Sequence, residues 1–185
     1  MFKIKTVCAY MLGLWLLGMP GKALGQTLAV KTNLLHDALL TPSLGIELAT
    51  GDYGSLQLSG TYNPFGSSDR KWRNWTVQPE YRWWMHQVMT GPFLGANAIV
   101  GGFNIDGLSC LGFADKHRQG TFYGAGICAG WHHIISTRWS LELTLGADFV
   151  HTSYDRYDGN IHEGRFASNL ILPTGTGISL VYILR

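Results

Sequence analysis

The chain alternates between apolar and polar positions over most of its length. In residues 139–150, WSLELTLGADFV, every second position is apolar: Trp139, Leu141, Leu143, Leu145, Ala147 and Phe149. Ser140, Glu142, Thr144, Gly146 and Asp148 stand between them. A period of two is the mark of a strand with two unlike faces. The same alternation predicts strands over 28–35, 43–50, 55–63, 74–84, 92–104, 121–135, 139–152 and 171–184, with no long amphipathic helix after residue 26. Pro79, inside the fourth, lacks a ladder donor and predicts a local bulge.

The connections sort into two kinds. Residues 51–54, 86–91 and 136–138 are short turns, and 36–42 is brief. Residues 64–72, 105–120 and 153–168 are long and polar. An even number of strands, short turns at one end and long loops at the other predict an all-β fold: an eight-stranded antiparallel up-and-down transmembrane β-barrel.

Alternation alone does not say which face meets water. A soluble, lipocalin-like ligand-binding barrel turns its apolar side inward; a membrane barrel turns it outward. Composition separates them. A water-facing surface carries roughly 25–35% charged residues, whereas only 14% of this chain is charged. The polar strand positions are mostly Gly, Ser, Thr, Asn and Gln, which fit the narrow lumen of an eight-stranded barrel. Aromatic residues gather near strand ends: Tyr62, Trp72, Trp75, Trp83, Trp84, Tyr123, Trp131, Trp139 and Tyr182. Such belts form where lipid meets water. The expectation is therefore that Leu141, Leu143 and Leu145 face lipid while Glu142 and Asp148 point inward.

Parity places six charged residues in the lumen: Lys31, Glu47, Glu80, Arg82, Glu142 and Asp148. Buried charges need partners, so salt bridges that fill the interior are the simple reading, and an ion or proton path is the sharper one. His132 and His133 are neighbours and point to opposite faces, at the short-turn end. Gly124 and Gly126 lie in a strand with no helix after it, which removes a nucleotide-loop reading.

The first 25 residues have a positive start (Lys3, Lys5), an apolar run from Val7 to Met19 and a small-residue cleavage site ending at Gly25. This predicts a secretory signal peptide, 1–25, and one domain over 26–185. Its removal takes Lys3, Lys5 and Lys22 from the 14 basic residues, leaving 11 against 12 acidic ones. Nucleic acid is then not an expected partner. Cys110 and Cys128 remain, spaced along a strand and a loop so that a disulfide is not expected; both are read as free thiols. No spacing of Cys and His suggests a metal, and no cofactor is expected.

KTNLL (31–35), YNPF (62–65), WTVQPEYRWW (75–84), FYGAGI (122–127), RWSLE (138–142) and PTGTGISLVYI (173–183) resemble a Bacteroidetes family of uncharacterised outer-membrane proteins, domain of unknown function 3575. The Trp-x-Val-Gln-Pro-Glu-x-Arg segment carries most of the resemblance. It implies an outer-membrane barrel, a setting near surface-fimbria genes and no established activity. The working expectation is a small non-enzymatic barrel with a structural or surface-interaction role. Its partners would be outer-membrane lipid and a surface or fimbrial protein met by its loops. Tyr154, Arg156, Tyr157, His162 and Arg165 are the candidate contact residues. The alternative is a lipid A-modifying esterase. His151 and Ser153 share a strand face, which resembles the His-x-Ser pair of the eight-stranded lipid A 3-O-deacylase family; Asp155 and Glu163 would be the candidate orienting acids.

Overall fold

A computed structural model describes residues 27–63, 66–67, 70–105, 117–158 and 161–184. The chain forms β1 (Leu28–Asn33), a short helix α1 (Leu34–Ala38), β2 (Ser43–Ala49), β3 (Gly54–Asn63), β4 (Gly66–Ser67), β5 (Arg70–Trp84), β6 (Gly91–Ile105), β7 (His117–Ile134), β8 (Trp139–Asp158), β9 (Ile161–Leu172) and β10 (Gly177–Leu184). The predicted signal peptide lies outside the described residues.

The sheet closes into an eight-stranded antiparallel barrel because β10 pairs with both β1 and β8. β9 and β10 together make the eighth staircase of the wall. β9 pairs with the far part of β8 (Asp148↔Leu172), and β10 with the near part (Thr144↔Gly177). Five steps on one side oppose four on the other, so the break at 173–176 inserts one residue, as a bulge does. Pro173, with no N–H to give, sits in that break. The prediction of one strand over 171–184 is corrected accordingly. The register shift expected at Pro79 is absent: Leu58 pairs with Pro79 in line, and the ladder to β6 resumes at Glu80↔Asn97 with its register kept.

The turns at one end are short, and β1 starts and β10 finishes there, with Leu28 paired to Leu184; this is called the lower end. Thr50 donates to Gly54 across one turn and Ile135 to Trp139 across another. In the third, Met89 and Gly91 take positive φ (57° and 72°) to close the chain between β5 and β6.

The upper end is uneven. β1 has 6 residues and β2 has 7, against 15 in β5 and in β6, 18 in β7 and 20 in β8. Local chemistry stops β1. Asn33 caps α1, accepting from the N–H groups of Leu35 (3.1 Å) and His36 (3.4 Å). Asp37 then ties the helix to the start of β2, accepting from the Ser43 N–H at 2.9 Å and the Thr32 hydroxyl at 2.5 Å. The strand predicted to run to residue 35 therefore ends at Asn33. Tilt magnifies the inequality. Following paired residues from Ile183 through Ala29, Glu47, Gln57, Glu80, Asn97, Gly126 and Asp148 returns to the eighth strand at Leu172. The strands thus slant steeply, and β9 climbs beyond the end of β1. Among the described residues no strand pairs with the second edge of β9.

The longer strands also replace much of the predicted loops. β8 runs on to Asp158 and β9 begins at Ile161, so 153–168 is largely a hairpin rather than a loop. β6 ends at Ile105 and β7 begins at His117, which leaves 106–116, with Cys110, outside the described residues.

Candidate lumenal site

The barrel wall sends its large apolar residues outward. Leu141, Leu143, Leu145 and Phe149 of β8 are exposed, as are Ile127 and Trp131 of β7, Trp83 and Tyr81 of β5, and Leu44 and Ile46 of β2. Ser140, Glu142, Thr144 and Asp148 are buried inside. Trp84 departs from the expected aromatic belt. It is fully buried, tilted against Phe93 at 4.8 Å between centroids, and its indole N–H donates to Ser55 at 2.8 Å. Trp84 follows Trp83, so alternation sends one outward and the other inward.

The lumen is layered from the lower end upward. The first layer is apolar: Ala29, Trp84, Met89, Phe93, Cys128 and Val181. It seals the floor and was not foreseen, since the inner face was read as polar throughout. The second layer is ionic. The Lys31 ammonium meets Glu47 at 2.5 Å and Glu142 at 3.0 Å. The Arg82 guanidinium donates to Glu80 at 2.5 Å and to both oxygens of Glu142 at 2.8 Å, reaches Glu47 at 3.4 Å, and lies 4.3 Å over the Phe93 ring. All five side chains are buried. Five of the six charged residues assigned to the lumen by parity therefore form one network.

Asp148 is the exception. It is buried in the lumen, yet it sits a layer higher and accepts from Asn97 at 3.0 Å and from the Thr174 hydroxyl. No ion pair reaches it among the described residues. Gly126 stands opposite, and a Cβ there would collide with the Asp148 carboxylate. Two residues that reach the ionic layer escaped the sequence reading, Cys128 from the floor beneath it. His132 places Nδ1 3.3 Å from Glu142, and Cys128 donates its thiol to Glu80 at 3.3 Å. Continuing the parity of β7 from Phe122 through Cys128 finds both. His133 points outward and is exposed, as the alternation predicts. Cys128 is free, as expected.

Above the ions the lumen opens into a cavity of about 720 Å³. Its walls differ. Gln57, Ser59, Thr61, Asn74, Thr76 and Gln78 from β3 and β5 make one side polar. Ile99, Phe103, Phe122, Tyr154, Leu170 and Leu172 from β6 to β9 make the other apolar. Phe103 packs toward Phe122 and Tyr154, with centroids 6.3 and 6.5 Å away, and Tyr154 stacks on Phe166 at 5.9 Å. Tyr154, expected on a surface loop, is thus a wall residue of the cavity. The side chains of Arg156, Tyr157, His162, Glu163 and Arg165 lie outside the described residues; their backbones belong to β8 and β9.

His151 and Ser153 sit on the outer face of β8. The His151 ring meets the side-chain amide of Asn169 at 2.7 Å and packs toward Tyr123, with centroids 5.4 Å apart. No hydrogen bond joins His151 to Ser153 among the described residues.

The sequence matches the family described as "Protein of unknown function (DUF3575)" over residues 10–184, nearly its whole length. The chain belongs to that family. The family read from WTVQPEYRWW and the other segments is thus borne out, and these residues have a structural meaning: Glu80 and Arg82 face the ion-pair layer, Trp84 seals the floor, and Trp75, Tyr81 and Trp83 point out. No curated protein matches the sequence.

Proposed function

We propose that this member of the family is a non-enzymatic outer-membrane barrel, held in lipid by its apolar outer belt and working through its uneven upper end. The observation that carries the reading is the inversion of faces. Leu44, Ile46, Leu58, Trp83, Ile127, Leu143, Leu145 and Phe149 are exposed around the wall, while Lys31, Arg82 and three glutamates are buried at its centre. In water such a belt is a large exposed apolar patch, and a lipocalin-like barrel would have the opposite arrangement. In a bilayer each exposed leucine of the closed part of the wall meets acyl chain, and the pairing of β10 with both β1 and β8 satisfies the strand backbones there. The ion pairs hold together a lumen that is sealed at its floor, so a structural or surface-interaction role is favoured over conduction. Its partner at the tall end would be another surface or fimbrial protein.

The test is fractionation and labelling of intact cells. A tag placed between Asp158 and Ile161 is expected to be reached from outside, and one placed at Ser136 is not, with the protein in the outer-membrane fraction. Recovery in the soluble fraction, or labelling at Ser136 alone, contradicts the reading.

A further inference from the structure

The cavity above the ion pairs is not closed at its side. Leu44 belongs to the outward-facing set of β2 and is 61% exposed, yet it lines the same cavity as Glu80, Arg82 and Glu142. Leu170 faces inward and is still 45% exposed, because no described strand stands beside β9 at that height. The cavity therefore runs out between the top of β2 and the eighth strand. Leu34, Leu35, Leu39 and Leu40, on α1 and the turn after it, are all exposed beside this gap.

On the membrane reading above, the gap has a definite neighbour. A strand needs about 9–11 residues to cross the apolar layer of a bilayer, and β1 and β2 have 6 and 7. Counted from the lower turns, both are too short to reach the far face of that layer, so on this reading the lower part of the opening faces acyl chains. From this geometry we infer that the cavity is a binding site for a neutral, single-chain amphiphile that enters sideways from the bilayer, between β2 and the eighth strand.

Three features select that class of ligand. The volume, about 720 Å³, is that of a small-molecule pocket. The wall formed by Phe103, Phe122 and Leu170 suits a hydrocarbon chain. The opposite wall suits an uncharged polar head. Gln57 is only 8% exposed, and its side-chain oxygen has no hydrogen-bond partner among the described residues; a hydroxyl or amide donor on the ligand would satisfy it. Among the described residues of the lining, the lysine and the arginine offer nothing to a carboxylate or phosphate head, because Lys31 already holds two glutamates and Arg82 three.

This inference rests on the membrane reading, and one experiment separates their failures. The full barrel is reconstituted in phosphatidylcholine vesicles with a monoacylglycerol carrying a photoactivatable diazirine in its chain. Cross-linked residues are mapped by mass spectrometry. A fatty acid with the same labelled chain is the second probe. The expected result is labelling of Phe103, Phe122 or Leu170 by the monoacylglycerol, loss of that labelling with the fatty acid, and labelling of the outer residues Ile127 and Leu145 by both. Ser168→Trp and Leu170→Trp, which fill the cavity from β9, are expected to abolish labelling of Phe122 while sparing Ile127. Labelling of the outer belt alone overturns the site and leaves the membrane reading standing. Equal inner labelling by both probes overturns the choice of a neutral head. No labelling of Ile127 or Leu145 overturns the membrane reading and the site with it.

Discussion

Between the lower turns and Asn33, all eight strands of the wall are present and the lumen is full. Above Asn33, β1 is missing, β2 follows it at Ser43, and the lumen holds a cavity with an open side. The two halves share strands β3 and β5 to β8 and differ in what fills them. The lower half is built of large buried side chains and saturated ion pairs, the upper half of small polar groups and partly exposed aromatics. Rigidity and recognition are thereby placed at opposite ends of one sheet. A helix of 5 residues creates the difference. Its Asn33 cap and the Asp37–Ser43 bond end two strands early, and the tilt of the barrel carries the others on without them.

The contrast predicts unequal sensitivity to mutation. The largest effect is expected at Glu142, which faces Lys31, Arg82 and His132 together. Glu142→Ala leaves two buried cations short of a partner and should cost about 3–5 kcal/mol in a reversible unfolding titration. Replacing Arg82, Glu80 and Glu142 together by Met, Gln and Leu should cost far less than the three single changes summed, because Lys31 and Glu47 then remain paired and no charge is stranded. Phe93→Ala, in the floor, removes the ring that packs on Trp84 and lies under Arg82, and should cost about 3–5 kcal/mol by the same titration. Gly130→Val is next. A Cβ at Gly130 would stand 2.5 Å from the Phe93 ring and 2.6 Å from the Leu143 carbonyl, and such overpacking typically costs about 1–3 kcal/mol. The smallest effect is expected in the upper half. Leu170→Ala, at a side chain open to its surroundings, should change stability by less than about 1 kcal/mol. A loss at Leu170 as large as that at Phe93 would show that the upper cavity is packed shut and would erase the distinction between the halves.

Much of the lower half was legible in the sequence because alternation is local. Knowing that Glu142 lies between Leu141 and Leu143 is enough to assign its face, and the same parity sends Lys31, Glu47, Glu80 and Arg82 into the lumen. What alternation does not carry is height. Parity put Asp148 with the cations, but the pairing of β8 lifts it one layer, to Asn97 and Thr174. Height depends on the register of every strand around the closed wall, which is a property of the whole circuit. The upper half was harder for a second reason. Loops and strands were separated by polarity, and polar strands such as Ile161–Leu172 read as loop when their partner, the far part of β8, is polar as well. The stop after Asn33 is written in the sequence as a cap residue, but α1 is too short to give a helical period. His132 is placed by the sequence only at the short-turn end, although its parity matches that of Cys128.

The central claim is that the apolar face of the wall meets lipid and the polar face meets the lumen. Single nitroxide labels at residues 139–146 of β8, in a Cys110→Ser, Cys128→Ala background reconstituted in vesicles, test it most directly. Collision with oxygen, which concentrates in the bilayer, is measured against collision with a water-soluble nickel chelate. Oxygen access should peak at 141, 143 and 145 and fall at 140, 142 and 144. Peaks for the nickel chelate at 141, 143 and 145, or no alternation, would contradict the account.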